Sequence, residues 1–313
     1  MVVARATADG ELVRSRRALV IGSGFLGGAI ARALRGEAIQ VAVASRSHAH
    51  TLRCDLRDDA SVAAAVRATE PDTIVLVHGP GDIDWCEANP ERAERVHRIG
   101  AENAVRHARD AWIVLVSTDN VFAGTREAYE ERDTESPANA YGRAKLAAER
   151  VVADAPLSLI WRISLVYGWH AASERPNFFA ETARRLAART EVEAPVDQWT
   201  TPVVVDDVAA WATALTRSRP IGTLHQASAE PVTRFEFARR IARALGRDPS
   251  LVRPVERAQT RYACRPPRSC LTSCSPLGRS LPRVRGVDAG IELLLAAGPA
   301  DAAEPAPQVA ATR

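Results

Sequence analysis

Tyr141 and Lys145 stand four residues apart in Ser136-Pro137-Ala138-Asn139-Ala140-Tyr141-Gly142-Arg143-Ala144-Lys145, and Lys145 is the only lysine among 41 Lys and Arg residues. Arginine replaces lysine wherever a solvated positive charge is enough. Its planar guanidinium does not fit where a compact ammonium must lie beside a phenol or a ribose hydroxyl. The other tyrosines, Tyr129, Tyr167 and Tyr262, have Asp133, Ala171 and Pro266 four places on. On a helix this spacing puts phenol and ammonium on one face. A free phenol titrates near 10, and a close ammonium favours the phenolate and lowers that value. Bringing it towards neutrality takes about 4 kcal/mol of differential stabilisation, within reach of one charge in a partly dry site. Surface Tyr–Lys pairs share this spacing, so the rest of the chain must decide whether the pair moves protons.

The elements expected to hold the pair alternate between apolar runs and helical stretches. Ala18-Leu19-Val20-Ile21 is a short apolar strand running into Gly22-Ser23-Gly24-Phe25-Leu26-Gly27 and the helix-like Gly28–Leu34. Strand, Gly-x-Gly-x-x-Gly and helix together form a dinucleotide fingerprint: Gly22 for the tight turn, Gly24 for backbone approach to a pyrophosphate, Gly27 for close helix–strand packing. The helix N-terminus then offers its unpaired N–H groups to the phosphates. The second strand, Gln40–Ala44, ends at Ser45-Arg46-Ser47 with an arginine and no acid, which favours NADP(H) over NAD. Asp55-Leu56 closes a third short strand, where a carboxylate can meet the adenine amino group. Asp58 or Asp59 reads as the N-cap of a helix Ser61–Thr69.

Asp72–Val77 is a buried strand opening into His78-Gly79-Pro80-Gly81, at a carboxyl end where cofactors lie in open α/β sheets. His78 has no partner nearby in sequence to make it an acid–base group. A helix over Glu91–Arg109 precedes the strand Ala111–Val116, which ends in Ser117-Thr118-Asp119-Asn120. Its hydroxyls complete a proton-transfer set with Tyr141 and Lys145. This β–α alternation, from Ala18 to about Arg162, predicts an α/β fold with a doubly wound parallel sheet of Rossmann type.

The pattern changes after Gly168. Helices are expected over Pro176–Arg189, over Val208–Thr216 behind a cap at Asp206-Asp207, and from the capping box Thr233-Arg234-Phe235-Glu236 to Ala244. The organisation expected is an N-terminal extension (1–17), a cofactor domain (18–168) and a smaller, partly helical substrate lobe (169–297). Within that lobe the chain returns to the sheet around 200–227. The Ala/Pro-rich tail 298–313 is expected to be disordered. Trp169, Trp199 and Arg265 are the lobe's ligand candidates, an aromatic to stack a base and an Arg to clamp a phosphate.

A net charge of +3 with no run of like charges points away from nucleic acid and membrane surfaces. No apolar stretch approaches the ~20 residues that span a bilayer. Met1–Arg17 lacks the apolar core of a signal peptide. The five cysteines show no Cys-x-x-Cys spacing and read as reduced cytoplasmic thiols with no metal role.

Taken together, Gly22–Gly27, Ser117-Thr118-Asp119-Asn120-Val121-Phe122-Ala123-Gly124 and Tyr141-Gly142-Arg143-Ala144-Lys145-Leu146-Ala147-Ala148-Glu149 resemble an extended short-chain dehydrogenase/reductase, and within it the dTDP-4-dehydrorhamnose reductase family. Asp84, Glu87, Arg162–Gly168, Asn177-Phe178, Asp197-Gln198, Thr201-Pro202, Gly222–His225 and Arg265-Pro266 extend the match over about Leu19–Leu295. The resemblance implies a cytoplasmic NADPH-dependent ketoreductase of a nucleotide-activated, dTDP-linked deoxysugar, with a homodimer left open.

On that resemblance Tyr141 protonates the ketone oxygen, Lys145 tunes Tyr141 and binds the nicotinamide ribose, and Thr118 holds the carbonyl. Gly22–Gly27, Ser45, Arg46, Asp55, Leu56, His78, Gly79 and Ser117 would contact the cofactor. Thr118, Asp119, Asn120, Asn177, Trp199 and Arg265 would contact the substrate.

Three departures leave the exact ketone open, and a fourth bears on the cofactor phosphates. Asn120 replaces the family's aromatic, Leu165 its tryptophan, and Leu76-Val77-His78-Gly79 its Asn-Ala-Ala-Ala, while Ile21 takes the place of the first loop glycine. The alternatives are a non-catalytic NADP-binding subunit, like the reductase-fold partner of methionine adenosyltransferase, an epimerase or dehydratase, or a reductase of a non-sugar ketone. A dehydratase of this superfamily needs a Glu after the Asp, and here Asn120 follows Asp119.

Overall fold

The computed structural model describes residues 16–46, 51–108, 110–169 and 176–299, together with the strands β1 (Arg5–Ala6) and β2 (Leu12–Val13), which pair antiparallel. The expected tail 298–313 lies almost wholly outside the described residues.

The cofactor half is built from β3 (Arg17–Ile21), α1 (Phe25–Arg35), β4 (Gln40–Ser45), β5 (Leu52–Arg53), α2 (Asp59–Thr69), β6 (Thr73–Leu76), α3 (Ile83–Ala88), α4 (Pro90–Ala108), β7 (Trp112–Thr118), α5 (Ala140–Ala153) and β8 (Ser158–Ile163). The strands β6, β7 and β8 are buried along their whole length, as parallel strands covered on both faces must be. One face packs Val20, Trp112 and Trp161 against Ile30, Leu34, Trp211 and Leu215. The other packs Leu19, Ile74 and Leu115 against Val62, Ala104, Ala148 and Val152.

Beyond β8 follow β9 (Val166–Tyr167), α6 (Phe178–Ala187), β10 (Val192–Pro195), β11 (Trp199–Thr200), β12 (Val203–Val204), α7 (Val205–Ser218), β13 (Gly222–Gln226), β14 (Val232–Thr233), α8 (Arg234–Ala244), β15 (Val252–Val255), β16 (Arg268–Ser269) and α9 (Val287–Ala297). β13 joins the main sheet beside β8, giving seven parallel strands in the order β13-β8-β7-β6-β3-β4-β5. This is the doubly wound α/β sheet read from the sequence. The short strands pair as β10 with β15, β9 with β12, and β14-β11-β16. They surround a second core of Phe178, Phe179, Phe237, Ile241 and Ile291.

Asp58 caps α2, accepting from the Ala60 N–H, and Thr233 caps α8, accepting from the Glu236 N–H. Asp206 and Asp207 do not cap α7. They sit inside its first turn, after an N-cap at Val204, because Asp207 is drawn inwards to accept from Arg285. Among the described residues no helix is long and apolar enough to cross a membrane.

Candidate active site

The glycine loop explains its own departure from the family spacing. β3 runs buried through Ile21, and the backbone turns only at Gly22, with φ +123°. A Cβ there would lie 2.2 Å from the Val77 carbonyl oxygen, and one on Gly27 would lie 1.9 Å from that of Gly22. Both positions are closed to any side chain. Beside Gly24 there is open space, which is what the approach of a ligand to the backbone requires. Gly24 is the N-cap of α1 and supplies no side-chain cap, so the helix N-terminus is open to an anion. Gly22→Ala is expected to cost on the order of 2 kcal/mol or more. Loss of Tm together with dinucleotide affinity is the measurement that checks it.

The loop opens onto a cavity of about 760 Å³ at the carboxyl ends of the strands. Of the residues singled out in the sequence, Gly24, Phe25, Leu26, Gly27, His78, Gly79, Ser117, Thr118, Asp119, Asn120, Tyr141, Lys145, Asn177 and Arg265 line it. Gly22 and Ser23 stand behind the lining. Ser45, Arg46, Asp55 and Leu56 also lie outside it, at the ends of β4 and β5. Asp55 is clamped by Arg57 at 2.6 Å, which holds its carboxyl down at about 2. The Leu56 carbonyl accepts from Asn103. Trp199 faces Arg268 instead, with the guanidinium 5.2 Å from its ring. Trp169 packs edge-on against Phe179 and donates to the Leu294 carbonyl.

Helix α5 carries Tyr141 and Lys145. Its N-terminus is fixed by Asn139, which accepts from the Gly142 N–H at 2.8 Å, and by Glu87, which accepts from that of Ala140. Lys145 is 3% exposed and donates to the Val116 carbonyl at 2.6 Å. Burial lowers its pKa to about 8, with the Glu149 carboxylate opposing that shift. The Tyr141 phenol, expected to be lowered, is instead raised. Burial raises it most, then the Asp119 charge, against a Thr118 hydrogen bond and the Arg265 charge. Desolvation and the Asp119 charge act in the same direction and keep the phenol protonated, the state a proton donor needs.

Thr118 ends β7, donates to Asp119 at 3.1 Å and accepts from the Asn120 backbone. Asp119 is buried and also accepts from Ser164 at 2.9 Å. Burial lifts it to about 6. The Ser117 hydroxyl turns away from the cavity to Glu149, which Arg162 pairs at 2.6 Å. Asn177 caps α6 and donates to the Gly168 carbonyl.

Sequence reasoning passed over His97, Arg234, Arg261 and Tyr262. His78 and His97 are buried together, and burial first lowers both, His78 to about 4. His78 is therefore neutral at physiological pH and exchanges no proton there. Arg234, Arg261 and Arg265 also line the cavity and lie 4.5, 5.1 and 5.4 Å from the Tyr262 ring. Burial presses Arg234 down to about 10 and lowers Arg265 as well. Arg265 Nε is buried with no partner among the described residues. Glu181 pairs with Arg261, and the Asp119 and Asp84 charges reach Arg265, so the three guanidiniums around this ring are partly neutralised by the protein. The basic-aromatic stretch Arg261-Tyr262-Ala263-Cys264-Arg265 was the available signal. Among the described residues no cluster of His, Cys, Asp and Glu could hold a metal ion.

A Rossmann sheet with Thr118, Tyr141 and Lys145 at its carboxyl edge defines an extended short-chain dehydrogenase/reductase. Within that class the chain belongs to the family described as RmlD substrate binding domain, which it matches over residues 16–280. It is 38% identical over 245 residues to the dTDP-4-keto-6-deoxy-D-glucose reductase of Streptomyces niveus, covering 76% of this chain and 82% of that one. It is 34% identical over 260 residues to a probable low-salt glycan biosynthesis reductase of Haloferax volcanii, covering 80% and 87%. The fold superimposes with a TM-score of 0.82 and 25% identity on the dTDP-4-dehydrorhamnose reductase of Bacillus anthracis in complex with NADP, covering 90% of this chain and 99% of that one.

Proposed function

We infer that this protein is an NADPH-dependent reductase of the 4-keto group of a dTDP-linked deoxysugar. The observation that carries the reading is the convergence of Thr118, Tyr141 and Lys145 on one cavity that Arg234, Arg261 and Arg265 also line. The cofactor fits the residues present: the glycine turn, the open α1 N-terminus and the Lys145 ammonium. When bound, it supplies the hydride that the carbonyl carbon receives.

The protein's own residues do the rest. Tyr141, held protonated by burial, gives its proton to the carbonyl oxygen as that oxygen gains charge, so the ketone becomes a hydroxyl. Lys145, anchored on Val116, has donors remaining for a ribose diol and stabilises the phenolate left behind. Thr118 orients the carbonyl, and the three arginines hold the diphosphate so that the ring is presented in one pose.

The test is reduced-nicotinamide consumption with a panel of keto-sugar nucleotides, each product identified by mass. Turnover of a dTDP-4-keto-6-deoxy sugar supports the reading. Binding of NADPH without oxidation across the whole panel would replace it with the regulatory-subunit role. Formation of a 4-keto product from dTDP-glucose alone would make the protein a dehydratase.

Arg46, exposed at the end of β4, is assigned to the 2′-phosphate of NADPH. Arg46→Ala is expected to narrow the NADPH/NADH preference by about tenfold or more, the worth of a hydrogen bond to a charged group. An unchanged preference in paired titrations removes the assignment.

A further inference from the structure

The amide of Asn120 lines the substrate cavity, yet none of its hydrogen-bonding capacity is directed at a ligand. Its Nδ2 donates to Thr118 Oγ1 at 3.1 Å and to Asp119 Oδ1 at 2.6 Å, and its Oδ1 accepts from Asn139 Nδ2 at 2.9 Å. An amide has two such hydrogens, so both donors and an acceptor position are used. Asn139 in turn caps α5 at Gly142 and donates to the Cys264 carbonyl at 3.1 Å, next to Arg265. The backbone contributes independently. A Cβ on Gly142 would lie 2.0 Å from the Asn120 carbonyl oxygen, so the end of β7 and the first turn of α5 touch main chain to main chain. Tyr141 sits in that turn.

We propose that Asn120 is a positioning residue that fixes Thr118 and Asp119 relative to Tyr141 and couples both to the Arg265 loop. The proposal rests on the reductase reading for its kinetic consequence and on the hydrogen-bond geometry alone for its structural one. The Thr118 hydroxyl accepts from the Asn120 N–H and amide and donates to Asp119. Its one hydrogen is directed to Asp119, the Tyr141 phenol shares the same hydroxyl, and a substrate carbonyl must take that hydrogen over when it binds. The groups facing Asp119 are Ser164 after β8, Tyr141 on α5, Arg234 on α8, and Arg265 and Cys270 from the C-terminal loops. Removing the amide deletes the shortest donor to the buried carboxylate, which raises its affinity for a proton. It also severs the link from β7 to the α5 cap.

The experiment compares wild type, Asn120→Ala and the nearly isosteric, uncharged Asn120→Leu, which keeps the volume but loses both amide hydrogens and the acceptor. Three readouts are used: NADPH titration, the pH profile of kcat/KM with a dTDP-4-keto-6-deoxy sugar, and carboxyl NMR titration of Asp119 assigned with Asp119→Asn. Both variants should bind NADPH within about threefold of wild type while kcat falls by about 10- to 100-fold. The acid limb, near pH 6 in wild type, should move up by about one pH unit or more, because the carboxylate loses a donor.

A merely structural role would lower Tm and cofactor affinity and leave the limb in place, and that result overturns the proposal. So does a kcat within twofold of wild type in either variant. If Asn120→Ala does not fold, Asn120→Leu decides. If wild type reduces no keto sugar, the function reading fails by itself. The Asp119 titration then still decides the positioning role, with an unmoved midpoint in the variants sinking it.

Discussion

Replacing Tyr141 with phenylalanine is expected to lower kcat by about 10²–10⁴-fold, the range by which a positioned acid accelerates a proton transfer. NADPH affinity should stay close to wild type. Tyr141 as a residue is half-buried, and the substitution removes only its buried hydroxyl. Because burial holds the phenol protonated, the loss should be the same across neutral pH rather than concentrated at one end. Single-turnover reduction under saturating cofactor separates this from slow product release. A variant within tenfold of wild type would mean that another group, with Asp119 the nearest carboxyl, delivers the proton.

Lys145→Arg keeps the charge and should still remove nearly all turnover, weakening NADPH binding as well. The ammonium lies in a pocket where it is 3% exposed and reaches the Val116 carbonyl at 2.6 Å. A guanidinium is wider, planar and bonds through a fork, so it can neither keep that anchor nor fit beside a ribose diol. The expected pattern is a higher Kd for NADPH together with a lower rate, in contrast to Tyr141→Phe, which changes the rate alone. With Lys145 pushed down to about 8 by burial, wild-type activity should also decline as pH rises through that value and the ammonium loses its proton. That alkaline limb should disappear in the arginine variant. Near wild-type turnover in Lys145→Arg would leave the lysine without a mechanistic role.

The lone lysine was legible because the other 40 Lys-or-Arg positions are all arginine. The parallel sheet was legible from continuous apolar runs separated by helical stretches, since a strand buried on both faces carries no polar alternation. Gly22 and Gly27 could be read as a turn and a packing contact, and both are closed to a side chain by carbonyl oxygens. Asp58 and Thr233 were readable as caps because capping is local, the side chain reaching its own helix two or three residues on.

Non-local decisions were not legible. Asp207 looks like a cap in sequence, but Arg285 claims it from 78 residues away. The sign of the Tyr141 shift depended on how much protein surrounds the phenol and on the Asp119 charge, both set by packing and not by the i,i+4 spacing. Trp199 and Arg265 looked equally suited to a ligand, and only the third dimension placed one against Arg268 and the other in the cavity. The arginines around Tyr262 come from α8 and a distant loop, so no window of sequence contains them together. Sequence determined the chemistry available to this protein, because residue type and short spacing set what a group can donate, accept or cap. Tertiary structure alone decided which groups are dry, which are already bonded and which face one another, because burial and long-range contacts follow from packing.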